Sequence, residues 1–353
     1  MNKKLKGPLI PGKDRIHIRD FYRGKVLLIT GCTGFIGKVM LEKLIRSCPD
    51  IGRIYVIIRQ REGITLEQRL KKEIFDSIMF KECFYRHPEL EHIAKTKIIA
   101  VSGNIGVENI GMDPEVSARL QEEIDVVISC AASVLFSVPL LTLMKSNYFG
   151  PLMLLDFTKK CKHAKVFCQV STTGVNSHKP HYSFCEEEIT EKADPDEIVD
   201  KIMNENPEHV AANEADIMQP WANSYTFCKN LVERAIRKHR GHIKTIIVRP
   251  PATSACYNEP MPGWIDSLSA GGITAFPMAL GVRRHFFIGP GNIWIMPGDI
   301  VSNGILVACA YCDALPNDDT SVVATCLSSV NPILFTQWVE AGGPYLAYNP
   351  THT

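Results

Sequence analysis

Apolar residues along this chain follow two alternating patterns. Short unbroken runs fit strands covered on both faces, and stretches with apolar positions every three or four residues fit helices with one buried side. The runs predict strands at Lys25–Thr30, Arg53–Ile58, Lys97–Val101, Asp125–Ser129, Lys165–Val170 and Lys244–Val248. Helical spacing connects Phe35, Val39, Met40, Leu44 and Ile45, and continues over Leu66–Phe80, Leu140–Lys160 and Ala222–Arg240. Strictly alternating strands and helices predict an α/β fold with a doubly wound parallel sheet. Ligands of such sheets bind at the carboxyl ends of the strands, where strand order reverses.

Two stretches interrupt the alternation. Residues 174–221 are polar and acidic, and residues 251–298 are rich in Gly and Pro and contain Trp264 and Trp294. Both leave the sheet just after a strand end, where segments that recognise a substrate are expected. The predicted organisation is an arm over 1–24, a Rossmann domain over 25–250 with 174–221 as a substrate-side insertion, and a substrate-binding part over 251–353. That last part is expected to return strand and helix elements.

Composition narrows the function classes. A net charge of +1 without a long single-sign run argues against a nucleic-acid partner. Val126–Met144 is nearly uncharged, but Pro139 and three serines make it a buried strand and loop rather than a membrane span. The twelve cysteines stand singly among apolar residues, and the start lacks the apolar centre of a secretory signal. Both point to reduced thiols in a cytosol-facing compartment. Cys309 and Cys312, and the group His178, His181 and Cys185, have no second ligand set beside them, so no metal site is expected.

The candidate chemistry starts at the first strand–helix turn, Thr30-Gly31-Cys32-Thr33-Gly34-Phe35-Ile36-Gly37. Gly31 permits the tight turn, Gly34 lets a pyrophosphate approach the backbone, and Gly37 lets helix and strand pack closely. The helix start offers free N–H groups and the positive dipole end. Arg59 and Arg61 at the end of the second strand suit the 2′-phosphate of NADP, where an acidic residue would select NAD. Tyr225 and Lys229, four apart on a predicted helix, share one face. A nearby ammonium and a bound nicotinamide cation are expected to lower the phenol pKa, fitting Tyr225 to donate a proton to a reduced carbonyl. Thr172, with Ser171 in reserve, stands where a hydroxyl would polarise the substrate oxygen. Asn147 is placed to fix a water or backbone near the lysine.

With Thr-Gly-x-x-Gly-Phe-x-Gly and Tyr-x-x-x-Lys together, the chain resembles the extended short-chain dehydrogenase/reductases, and within them the fatty acyl-CoA reductases, also called male-sterility-like. The likeness runs from about Phe21 to Glu340 and includes Leu41–Pro49, Ile54–Gly63, Cys130–Ser133, Val170–Thr172, Val248–Pro250, Glu259–Asp266 and Asn331-Pro332. Pro262-Gly-Trp-Ile-Asp266 is its most family-specific part. The resemblance implies NADPH-dependent reduction of a long-chain acyl-CoA to a primary alcohol through a hemithioacetal and an aldehyde. It makes Tyr225 the acid, Lys229 the group that orients ribose and tunes Tyr225, and Thr172 the carbonyl's hydrogen-bond partner. It places Thr30, Gly31, Thr33, Gly34, Phe35, Ile36, Gly37, Arg59, Asn104, Ile105, Ala131, Ala132, Tyr225 and Lys229 at the cofactor, and residues 251–298 over the acyl chain.

The chain departs from the family pattern where Asn104 replaces an aspartate, Thr173 an alanine and Gly298 a valine. Family members usually continue into a C-terminal helical domain, often membrane-associating, so a catalytic part without that domain is expected here. Peroxisomal or endoplasmic-reticulum surfaces are the family's compartments. Two other readings remain open: a reductase of an aldehyde, steroid or sugar nucleotide, and a non-catalytic NADP-binding form.

Overall fold

The apolar runs form the middle of a parallel sheet: β1 (Val26–Thr30), β2 (Arg53–Ile58), β3 (Ile98–Ser102), β4 (Val126–Ser129), β5 (Val166–Val170) and β6 (Lys244–Arg249). The computed structural model describes residues 16–179, 189, 191–268, 292–315, 321–325, 333–338 and 340. A further strand, Ser321–Thr325, pairs with β6, so the sheet runs Ser321–Thr325, β6, β5, β4, β1, β2, β3. Every neighbour is parallel. The chain winds outward from β1 to β3, then returns to β4 on the other side of β1. Strand order therefore reverses between β1 and β4, and the crevice lies at their carboxyl ends.

Side chains on a strand alternate between faces, and each strand here feeds two cores. Leu27, Ile29, Ile54, Val56, Val126, Ile128, Val166 and Cys168 join one cluster with the helices Phe35–Ser47 and Gly298–Ala314. Leu28, Tyr55, Val127 and Phe167 join the other with Gly150–Lys160 and Ser224–His239. Burial on both faces explains why the strands read as unbroken apolar runs. Cys309 and Cys312 are buried in the first cluster.

One helix expectation changes and another holds. The stretch Leu66–Phe80 is not one helix: it breaks at Asp76-Ser77, and Ser77 starts a new helix, Ile78–Arg86, by accepting the N–H of Phe80 at 3.4 Å. The stretch Leu140–Lys160 is helical throughout, with one wider turn at Lys145–Phe149. Pro151, just after it, has no N–H to offer the carbonyl of Asn147, which accounts for the irregularity.

Val126–Met144 becomes β4, a loop and the short helix Leu140–Met144, as its serines and Pro139 suggest. Among the described residues no helix is long and apolar enough to cross a membrane. The described part of 174–221 forms helices Pro195–Met203, Pro207–Ala212 and Glu214–Ile217. The first two start from Asp194 and Asn206 caps followed by proline. His178 pairs with Glu191 at 2.8 Å and meets the Trp221 ring edge-on. His181, Cys185, residues 1–15 and 269–291, and Asn331-Pro332 lie outside the described residues.

Candidate active site

The glycine turn is built as its residue types require. Gly31 has φ +78°, and a Cβ there would lie 2.8 Å from the backbone nitrogen of Ala131. A Cβ on Gly37 would lie 2.4 Å from the Gly31 carbonyl oxygen and 2.6 Å from Cys32 Cα, so helix and strand pack as closely as predicted. At Gly34 a Cβ meets only the Gly31 carbonyl oxygen, at 3.2 Å, and the outer side is open. Gly34 is also the residue before the helix and has no side chain to cap it. The first-turn N–H groups of Phe35, Ile36 and Gly37 thus receive no capping side chain, as a phosphate-binding helix start requires. Two variants separate these roles. Gly37→Ala is expected to destabilise the fold by about 1–3 kcal/mol through overpacking, measured by urea unfolding. Gly34→Ala is expected to unfold near the parent midpoint while losing dinucleotide affinity in a fluorescence titration.

Several predicted cofactor residues turn their side chains to the protein itself. The Thr30 side chain is buried and its hydroxyl accepts the N–H groups of Cys130 and Ala131, each at 3.0 Å, tying the end of β1 to the end of β4. The Phe35 ring turns away to Trp264, centroid to centroid 5.4 Å, and sits against Gly298. Asn104 closes its own loop, with its N–H on the Ile110 carbonyl at 2.7 Å and its Oδ1 accepting from Gly106 at 3.0 Å. Ile105 is buried beside it. Arg59 is exposed. Arg69, from the helix Leu66–Leu70, donates to the Arg59 carbonyl and forms a two-point pair with Glu73 at 2.8 Å each. Glu73 also approaches Arg61 at 3.7 Å, so Arg61 is partly neutralised while Arg59 keeps the strand end positive. A shallow depression of about 590 Å³ lies along Gln60–Glu67.

The helix bearing Tyr225 and Lys229 starts where its cap dictates. Asn223 is extended and its side chain accepts the N–H of Thr226 at 2.9 Å, launching Ser224–His239. Tyr225 is half-buried and Lys229 buried on the same face, the ammonium 5.9 Å from the tyrosine ring centroid. Lys229 donates to the Val170 carbonyl at 2.7 Å, at the end of β5. Thr172, two residues on, lies close enough to Tyr225 for its side chain to lower the phenol pKa, and its hydroxyl accepts the Gly174 N–H at 3.2 Å. Ser171 is buried, its hydroxyl without a partner among the described residues, so Thr172 is the hydroxyl beside the phenol. Asn147 holds backbone rather than the lysine: it accepts from Ser133 N–H at 2.9 Å and donates to Ser133 carbonyl at 2.8 Å.

In the protein by itself the tyrosine shift is upward, whereas the expected lowering invoked the ammonium together with a bound nicotinamide cation. Burial pushes the Tyr225 phenol up to about 12, against the lowering by the nearby Thr172 side chain. Burial also brings Lys229 down to about 8. The protein's own groups therefore hold a protonated phenol, which is the form a proton donor needs.

One connection was not visible in the sequence. Cys130, whose N–H is held by Thr30, is close enough to influence both Tyr225 and Lys229 electrostatically, and its own thiol is pushed up to about 11 by burial. The glycine turn is thus tied to Cys130 and Ala131, and Cys130 lies near Tyr225 and Lys229. A second connection, also missed, involves the segment 256–266. Lys38 pairs with Asp266 and lies 6.0 Å above the Trp264 ring, while Glu259 joins Lys43, Arg46 and Asn303. Burial opposes ionisation, but the bonds from Lys43, Asn303 and Arg46 hold the Glu259 carboxyl down to about 2. Asp299 accepts the N–H groups of Tyr257, Asn258 and Glu259 at 2.8–3.1 Å. The Pro262-Gly-Trp-Ile-Asp266 signature therefore clamps an excursion onto the dinucleotide helix.

Comparison with known proteins places this arrangement. The model of the male sterility protein family matches residues 29–305. The chain is 30% identical over 366 residues to Arabidopsis thaliana fatty acyl-CoA reductase 2, chloroplastic, covering 93% of this chain and 58% of that protein. It is 30% identical over 299 residues to Gallus gallus fatty acyl-CoA reductase 1, covering 84% and 56%. The chain thus spans less than two thirds of either relative. In fold it is similar to the terminal R domain of the myxalamid PKS-NRPS pathway, with TM-score 0.66 and 20% identity over 89% of this chain and 68% of that one. The reductase domain of a Mycobacterium tuberculosis nonribosomal peptide synthetase gives TM-score 0.63 and 20% identity over 91% and 72%.

Proposed function

This chain belongs to the male sterility protein family, and from that premise we propose that it is an NADPH-dependent reductase of long-chain fatty acyl-CoA. The product is the primary alcohol, formed through the aldehyde. The observation that carries this reading is that Thr30 ties the glycine turn to Cys130 and Ala131, while Cys130 and Thr172 both lie near the phenol of Tyr225.

The first-turn N–H groups of Phe35–Gly37 hold the pyrophosphate of the dinucleotide, and Arg59 takes the 2′-phosphate. When bound, the reduced nicotinamide supplies hydride. Thr172 and Tyr225 hold the thioester oxygen, where negative charge develops as the carbon becomes tetrahedral; stabilising that charge is the largest demand on the site. Tyr225 donates its proton to that oxygen. Lys229, fixed by the Val170 carbonyl, keeps a positive charge on the same helix face. Return of that proton to Tyr225 re-forms the carbonyl as CoA thiolate leaves, and the resulting aldehyde is received by the same groups in a second round with a second reduced dinucleotide. Supporting the substrate class are the fatty acyl-CoA reductases among the relatives.

The test is NADPH consumption by the purified chain with acyl-CoAs from C8 to C24, with products identified by mass spectrometry. Stoichiometric alcohol is the expected result, and no consumption with any acyl-CoA would overturn the reading. Cofactor choice is checked separately. Arg59→Asp is expected to weaken NADPH binding about 100-fold, through loss of a charge-assisted phosphate contact, and NADH binding only a few-fold. Equal losses would remove Arg59 from the 2′-phosphate.

A further inference from the structure

The loop that leaves β4 carries Val134, Leu135 and Phe136, which are 45%, 59% and 64% exposed. Single exposed apolar residues are ordinary, but three consecutive large ones form a patch that has a use. This loop is held at both ends. Ser133 is bound through N–H and carbonyl to the buried Asn147, at 2.9 and 2.8 Å. At the far end Ser224 donates to the Val138 carbonyl at 3.1 Å, and the Leu140 N–H reaches Glu214 at 2.7 Å. The polar groups of the flanking backbone are thus satisfied while the apolar side chains between them face outward. The patch also touches the candidate chemistry: the Phe136 ring lies 5.8 Å from the Tyr225 ring, tilted by 36°.

From this juxtaposition we propose that Phe136, with Leu135 and Val134, forms the apolar floor for the first methylenes of the acyl chain, and so sets the preference for chains of C8 and longer over acetyl. The inference rests on the acyl-thioester reading above and names a subsite within it. A thioester whose oxygen meets the Tyr225 phenol must lead its hydrocarbon away from that point, and Phe136 is the apolar ring already packed on that phenol. Contact with Tyr225 favours this occupant over a second protein surface, which has no need of the proton donor. Phe136 is a specificity-determining residue here; the proton and the oxygen contacts remain with Tyr225 and Thr172.

The experiment measures binding of non-reducible S-alkyl-CoA thioethers of C2, C8, C12 and C16 to the NADP-loaded 353-residue chain by calorimetry, alongside kcat/KM for the matching acyl-CoAs. In the parent, affinity is expected to rise with chain length. Phe136→Ala is expected to weaken C8 and longer ligands about tenfold, as loss of contact with about two methylenes implies, with C2 and NADPH binding within twofold of the parent. Leu135→Ala, which leaves the ring on Tyr225 in place, is expected to act in the same direction about threefold. An unchanged chain-length slope in both variants would overturn the inference while the functional reading stands. So would an equal loss at every length, which marks a disturbed Tyr225, or a dimer that either variant dissolves without altering the slope. If the parent neither binds nor reduces any acyl-CoA, the functional reading falls and this inference with it.

Discussion

Tyr225→Phe is expected to lower kcat for acyl-CoA reduction by about 10³-fold, within the span that a positioned proton donor contributes, while NADPH affinity stays within about twofold. The phenylalanine keeps the ring against Phe136 and removes only the hydroxyl beside Thr172. Retention of more than a tenth of parent activity would show that another group protonates the oxygen. The pH profile gives a second readout. With the Tyr225 phenol pushed up to about 12, the donor stays protonated through the working range. Lys229, brought down to about 8 by burial, loses its charge as pH rises through that value, so the reductive rate is expected to fall there. Stability moves the other way. The folded pKa of Lys229 lies below the ordinary lysine value of 10.5, so between about pH 8 and that value the unfolded chain binds more protons, and this group's contribution to folding improves as pH rises.

Arg249→Met is the variant expected to cost the most stability, about 3–5 kcal/mol, read as a lowered urea midpoint. Arg249 at the end of β6 and Glu233 on the Tyr225 helix are fully buried, joined by bonds of 2.6–3.2 Å. Removing the guanidinium leaves a carboxylate in the core with its main counter-charge gone. Burying the pair was itself costly, so the double variant Arg249→Met/Glu233→Leu is expected to recover much of the loss. A single variant as stable as the parent would show that Glu233 takes up a proton or finds another donor at little cost. Activity should suffer as well, because β6 anchors the segment that carries Thr172. Ser171 N–H donates to the Val248 carbonyl at 2.7 Å, and Thr173 N–H to that of Pro250 at 3.0 Å.

The readable parts of this protein are those decided by neighbours in sequence. The six strands were placed within a residue or so, because burial on both faces demands unbroken apolar runs. Where the reading of Leu66–Phe80 failed, Ser77 decided: a hydroxyl that caps a new helix outweighed a continuous apolar period. The asparagine at 147 was expected to fix a water or backbone near the lysine, and only the fold brings the Ser133 backbone within its reach.

By itself the chain order specified a doubly wound parallel sheet, a glycine turn at its first crossover and a Tyr-x-x-x-Lys helix after its fifth strand, since each depends on steric and periodic rules acting over a few residues. Tertiary structure alone decided that Thr30 stitches β1 to β4, that Asp299 and Lys38 hold the 256–266 excursion in place, and that Phe136 lies on the tyrosine. It also decided the direction of the Tyr225 shift, because desolvation depends on everything packed around a group and not on the residues next to it in sequence.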